Sequence, residues 1–213
     1  GASRTDAGVH AQGQVAKFSI PLVIASEKLQ LGLNSLLPDD IRIWQCTSCQ
    51  ADFNPNKQSI SKKYRYYFST DRISSPLLNR IVAHVPSILE GVQSNAELDL
   101  ESMKRSCKLF IGEHDFYSFA SRDQNISSTS RTINRLEMKR TDALGLDAEI
   151  YYIEIEGNGF LKHMVRFIVG ALFEAGRHVI DDEDIRQALC NRNEMKLSAK
   201  AKARGLHLIE ITY

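Results

Sequence analysis

Residues 161–175 constrain this chain more than any other stretch. Met164, Val165, Phe167, Ile168, Val169, Ala171, Leu172 and Phe173 leave almost no polar side on a helix, and Gly176 follows as a stop. A helix that is apolar nearly all round has no face for water, so other elements must surround it. Between Met164 and Val169 stands one charge, Arg166. A buried guanidinium left without an anionic partner is strongly destabilising. Arg166 can reach solvent along its own stem, pair with a near acid such as Glu174, or meet an acid brought from elsewhere.

What surrounds that helix is legible from periodicity. In Ser61–Ser69, Tyr64, Tyr66 and Phe68 alternate with Lys63, Arg65 and Tyr67, the pattern of a strand with one aromatic face. Residues 132–140 and 148–156 read as a hairpin around 141–147, and Leu206–Thr212 as a last strand. Asp99 can cap a helix whose stripe is Leu100, Met103, Cys107, Phe110 and Ile111, ending at Gly112. Asp181 begins another short helix, and residues 121–130 form a serine-rich loop without periodicity. The part from 53 to 213 therefore runs strand, helix, strand, strand, helix, strand, with one helix added. That is the split order of a ferredoxin-like α+β unit. The part from 1 to 52 reads as loop, strand (14–20, anchored by Val15 and Phe18), helix and strand (41–46). Its helix starts at Ser26, carries Leu29, Leu33, Leu36 and Leu37, and ends at Pro38.

A chain of 213 residues, 43% hydrophobic, can bury one large core or two small ones. Its 27 basic and 26 acidic residues nearly cancel, so net charge names no partner. Distribution says more. Lys57, Lys62, Lys63 and Arg65 lie in one acid-free stretch, and Lys196, Lys200, Lys202 and Arg204 in another. Basic clusters in a neutral protein suit a polyanion bound across one face, and suit solvated loops equally well. No secretory signal or membrane-length apolar run is visible, which makes the cytoplasm the expected location. Cys46 and Cys49 have metal-like spacing without a second ligand pair, so all four cysteines read as reduced thiols. The histidines form no metal spacing, and no phosphate-binding loop, dinucleotide fingerprint or nucleophile elbow is present.

The remaining feature is a loop, Arg4-Thr5-Asp6-Ala7-Gly8-Val9-His10-Ala11, continuing into Gln12-Gly13-Gln14-Val15. Alone, an arginine two residues from an aspartate is an ordinary surface pair. The whole string closely resembles the catalytic loop of the tRNA pseudouridine synthase A family. Lys62-Lys63-Tyr64-Arg65-Tyr66 and Leu161-Lys162-His163-Met164-Val165-Arg166 resemble two further motifs of that family. Gly205-Leu206-His207-Leu208 is a weaker match.

The resemblance implies a specific chemistry. Asp6 would be the catalytic residue, with Arg166 paired to it across a cleft between the parts 1–52 and 53–213. Arg4 would fill the space of a flipped nucleotide, Tyr64 would stack on its uracil, and Leu206 would line the site. Lys62, Lys63, His163, Lys200 and Lys202 become candidate RNA contacts. The reaction would isomerise uridine to pseudouridine at positions 38 to 40 in the anticodon arm of tRNA. It would use no cofactor and no metal, in a homodimer without membrane attachment. The family fold would be two ferredoxin-like units side by side in one extended mixed sheet with helices on one face. The first unit would here lack its leading strand–helix–strand. Asn56 departs from the family pattern where a basic residue is expected, as do Lys202, where a proline is common, and Ser3, which replaces a frequent glycine. A non-catalytic RNA-binding protein or tRNA folding aid, and a plain interaction domain, are the competing readings.

Overall fold

The computed structural model describes residues 1–86, 98–123, 126–142, 148–191 and 196–213. In chain order the elements are β1 (His10–Ala11), α1 (Ser26–Leu36), β2 (Ser61–Ser69), β3 (Ala83–His84), α2 (Leu100–Cys107) and β4 (Gly112–Asp115). They continue with β5 (Ser130–Thr141), β6 (Ile150–Gly157), α3 (Met164–Gly176), α4 (Asp182–Cys190) and β7 (Leu206–Thr212). The strands form one mixed sheet in the order β1-β7-β2-β6-β5-β4, with β3 beside β2. β1 runs parallel to β7 and β3 parallel to β2, while the other pairs are antiparallel.

The alternation of β2 sorts the two faces of the sheet. Tyr64, Tyr66 and Phe68 are buried under α3, where the Phe173 ring meets Tyr66 at 6.0 Å and Phe68 at 5.1 Å. Lys63, Arg65 and Tyr67 point to the other face, which is held by charges and rings. Arg65 donates to Glu154 at 2.7 Å and lies over the Tyr152 ring, and Lys63 pairs with Glu210 at 2.8 Å. The core is contiguous from Tyr64 through Met103, Phe110, Phe116, Ile133 and Ile153 to the whole inner side of α3. α3 is covered as its composition requires, with eleven of its thirteen residues buried. Residues 196–205 lie along it: Ser198 donates to the Phe167 carbonyl, and a side chain at Gly170 would strike the Ala199 carbonyl.

Several expected boundaries hold. The bounds of β2 and β7 match, Asp99 caps α2 by accepting from the Ser102 N–H, and Asp181 closes a capping box on α4. β5 and β6 pair as the predicted hairpin, β5 longer by two residues at its start and one at its end, β6 starting two residues later and ending one later; residues 143–147 of the turn lie outside the described residues. In the serine-rich loop residues 121–123 and 126–129 carry no regular structure, Ser130 already opens β5, and residues 124–125 lie outside the described residues. α3 starts at Met164 rather than 161, because His163 takes a left-handed backbone conformation (φ 63°). Ile111 leaves the stripe of α2, half-exposed beyond a short 3-10 turn at Lys108–Phe110.

Two expected strands are absent. Residues 14–20 and 41–46 have the apolar content of strands but form none, and Phe18 is exposed instead of anchoring a core. A strand exists only where a neighbour takes its N–H and C=O groups. Among the described residues 41–46 has no such neighbour. Its backbone is held by α1 side chains: Gln30 donates to the Ile43 and Trp44 carbonyls, and the Asn34 amide both donates to and accepts from Ile43. α1 itself forms where predicted but buries none of its residues. No helix among the described residues is long and apolar enough to cross a membrane.

Candidate active site

The loop before β1 is fastened at both ends. On one side the Gln12 and Gly13 N–H groups donate to the Leu208 carbonyl at 2.8 and 3.3 Å, extending the β1–β7 pairing. Only glycine fits at 13, where a Cβ would collide with the Ile209 backbone. His10 stacks on His207 with ring centroids 4.6 Å apart, and the two Nε2 atoms bond the neighbouring Arg80 and Ile81 carbonyls. On the other side the Ala2 N–H donates to the Val15 carbonyl, and the Gln14 side chain bonds both backbone groups of Ser3. From below, Lys62 Nζ donates to the Ala2 carbonyl at 2.9 Å and to Asn56 Oδ1 at 3.0 Å.

Between these fastenings the loop turns, with the Val9 N–H donating to the Asp6 carbonyl at 3.0 Å. The Asp6 side chain points at α3. Arg166 Nη1 donates to Asp6 Oδ2 at 2.7 Å, while its Nε donates to the Ala201 carbonyl at 2.8 Å. The pair is unequally covered: the Arg166 side chain is 13% exposed and that of Asp6 32%. The open question about Arg166 is thereby answered by a distant acid; Glu174 lies beside Arg177 instead. His163 Nε2 lies 3.3 Å from the same Asp6 oxygen, and its Nδ1 lies 2.6 Å from Ser121 Oγ. Burial lowers the His163 pKa, with Asp6 acting in the opposite sense. Tyr64 completes the floor. Its hydroxyl shares a 2.8 Å hydrogen bond with Ser3, its ring meets Phe160 edge-on, and burial, helped by Asp6, pushes its pKa up.

The other sequence-derived residues divide. Arg4 is exposed and bonds no acid among the described residues, so the arginine and aspartate two apart do not pair with each other. Leu206 is buried in the core beside Tyr66 at the start of β7. Lys200 and Lys202 are exposed on either side of Ala201, whose carbonyl receives Arg166. Lys62 is a correction: it is buried, its ammonium bonds protein oxygens, and desolvation lowers its pKa, so it braces the loop rather than facing solvent. Lys63 is neutralised by Glu210 on the opposite face of the sheet. Lys196 and Arg204 are likewise engaged, with the Tyr117 and Asn79 carbonyls.

Sequence reasoning missed Ser121, Gln14 and Ala201, which act through backbone or loop contacts that leave no periodic signal. It treated Asn56 as a lost cation, where it is an acceptor for Lys62. Cys107 is buried, its thiol pushed up to about 12 by burial, while Cys49 and Cys190 are exposed. Among the described residues no group of three histidine, cysteine or acidic side chains could hold a metal ion.

Comparison with known proteins places this geometry. A family described as tRNA pseudouridine synthase matches residues 106–213, the half that contains His163 and Arg166. Whole-chain relatives extend the match over the loop. A protein named tRNA pseudouridine synthase A 2 from Desulfotalea psychrophila is 44% identical over 99% of this chain and 78% of its own length. tRNA pseudouridine synthase A from Acetivibrio thermocellus is 38% identical over the whole chain and 81% of its own length, and that from Bacillus pumilus is 36% identical over 99% and 79%. With relatives this similar over nearly all of its residues, the chain belongs to the tRNA pseudouridine synthase A family, isomerases that act on tRNA.

Proposed function

We propose that this protein converts uridine to pseudouridine in the anticodon arm of tRNA, at positions 38 to 40, with Asp6 as the catalytic residue. The observation that carries the reading is the Asp6–Arg166 pair at 2.7 Å, with Asp6 the more exposed member on a loop clamped at both ends. The reaction breaks the bond from uracil N1 to ribose C1′, turns the base, and joins C5 to C1′, after which C5 gives up its proton and N1 takes one up. Reactant and product are isomers, so the atoms balance without a cofactor. Reaching the sugar requires the nucleotide to leave its stack, which takes a few kcal/mol. Exposed Arg4 is suited to fill the vacated space, and Tyr64 to hold the turning base against an aromatic face. A nearby guanidinium favours the charged form of a carboxylate, and Arg166 supplies one on a rigid helix. Two routes are open to that carboxylate, attack at C1′ or removal of the 2′ proton, and an isotope effect at the 2′ carbon–hydrogen bond separates them.

Within this reading, residues 1–52 supply the loop and residues 53–213 a βαββαβ unit, and the spatial order β7-β2-β6-β5 supports that assignment. The enzyme acts in the cytoplasm as a homodimer. Exposed Lys200 and Lys202 are the cations best placed to meet tRNA phosphates. Neutralising both should weaken tRNA binding and lower the slope of log affinity against log salt by about 1 to 2. Asp6→Asn and Asp6→Ala should abolish pseudouridine formation in bulk tRNA while leaving tRNA affinity within a few-fold. Turnover by either variant, in protein free of host enzyme, would remove Asp6 from its role, and pseudouridine appearing outside positions 38 to 40 would correct the substrate.

A further inference from the structure

Arg166 is not the only group facing Asp6. His163 approaches the same oxygen, Oδ2, from the residue just before α3. Two acceptors do not bond, so the ring nitrogen facing the carboxylate carries the proton. Burial favours the neutral ring, which leaves Nδ1 as an acceptor for the Ser121 hydroxyl; this assignment follows from the bonding network. Ser121 Oγ–H then donates to Nδ1, and Nε2–H is the polar group that faces Asp6, in contact at 3.3 Å. Ser121 is itself fixed by donating its N–H to the Lys162 carbonyl at 3.0 Å. The charges that face the ring are Asp6 from the loop, Lys200 from residues 196–205, and Arg166 and Lys162 from its own stretch of chain.

His163 holds this place with a left-handed backbone (φ 63°), a conformation that is uncommon for residues other than glycine. With both ring nitrogens engaged inside the protein and a side chain 14% exposed, it is poorly placed to contact RNA directly. What it can do is decide which carboxylate oxygen stays free. One donor from Arg166 leaves the Asp6 carboxylate able to rotate and exchange its oxygens. The Arg166 hydrogen bond and the His163 contact meet Oδ2 from different directions and together restrict it, and among the described residues no donor reaches Oδ1.

We propose that His163 is a positioning residue: with Arg166 it engages Oδ2 of Asp6 and leaves Oδ1 as the oxygen presented to the ribose. The proposal rests on the reading of Asp6 as the catalytic carboxylate. Its test is a kinetic comparison on tRNA substrate of His163→Asn, His163→Gln and Ser121→Ala with wild type. Asparagine tolerates the left-handed backbone but is too short to reach Asp6, whereas glutamine can place an amide N–H near the Nε2 position. Asn at 163 should lower kcat about 10- to 100-fold with KM and tRNA affinity unchanged, because a misaimed reacting group acts on the chemical step. Gln should recover part of that loss, and Ser121→Ala should lose a few-fold and add nothing to His163→Asn in the double variant. If Asn unfolds the start of α3, the Gln and Ser121→Ala arms carry the test. Wild-type kcat in His163→Asn, a loss confined to tRNA affinity, or additive losses with Ser121→Ala would overturn the proposal. Asp6→Asn runs in the same assay: if it is inactive while His163→Asn is normal, only the positioning role fails, and if it turns over, the assignment of Asp6 fails first.

Discussion

Residues 1–15 and residues 16–53 are neighbours in sequence and opposites in how they are held. The first stretch has little apolar area to bury, yet it is joined to the sheet and to α3 through Leu208, His207, Lys62, Tyr64 and Arg166. The second is rich in leucine and isoleucine and holds the chain's single tryptophan, yet its helix buries nothing and Leu31 and Trp44 are 71% and 81% exposed. Apolar content alone does not dock a segment; it needs a complementary surface within reach. A polar loop can be fixed without one when each N–H and C=O meets a partner with matching geometry.

The comparison breaks most visibly in the body that both stretches lean on. Phe68→Ala, beneath Phe173, should destabilise the fold by about 3–5 kcal/mol through lost burial and the cavity left behind. A denaturation midpoint unchanged from wild type would show that the sheet core is not where stability resides. Gly13→Ala should come next. Its Cβ meets the Ile209 backbone, and overpacking of this kind costs about 1–3 kcal/mol. Most of that relief should come from lifting the loop, so pseudouridine formation should fall far more than tRNA binding. Proportionate loss of both would mean that the loop carries binding as well.

Lys62→Met sharpens the comparison at a single bond. It orphans the Ala2 carbonyl but also removes a desolvated ammonium, so the net effect should be about 1 kcal/mol, with a larger drop in activity than in stability. Equal behaviour of Lys62→Met and a surface lysine substitution such as Lys57→Met would deny it the role of brace. The His207 clamp adds a pH dependence. Burial lowers the His207 pKa, the Ile81 carbonyl works against that, and His10 adds to the lowering. A depressed histidine contributes its stability in full above its unfolded value of about 6.5 and loses it as pH falls from there through the folded value. Tm should therefore decline below about pH 6.5, and His207→Gln should flatten the decline, leaving the part due to His163, whose pKa burial also lowers. The same slope in the variant would clear His207. Smallest of all, Leu31→Ala on α1 should change stability by no more than about 0.5 kcal/mol, which a thermal melt can check.

The same contrast explains what could be read beforehand. β2 and β7 were legible to the residue because alternation and burial coincide there, and the Asp99 and Asp181 caps because capping is local chemistry. That Arg166 needs an anion was legible from its apolar helix, but the choice of Asp6 over Glu174 came from the family resemblance alone. Residues 14–20 and 41–46 misled because periodicity reports a face and says nothing of a partner for the backbone. Lys62 misled for a different reason. It shares the parity of Tyr64, Tyr66 and Phe68, so alternation already turned it inward, and counting it among surface charges ignored the pleat. Ser121 and Ala201 were illegible, since a loop hydroxyl and a carbonyl have no signature of their own.

Gly170 lies on α3 one helical turn from Arg166, where the Ala199 carbonyl leaves no room for a side chain. Two residues further on, Ala201 exchanges backbone and side-chain bonds with Arg166. Any larger residue at 170 must push this splint away from the helix and so slacken the arm that holds Asp6. A position whose neighbours are Ser198 and Ala199, not Asp6, thus has an alphabet of one letter, and natural variation across the family should read there as silence.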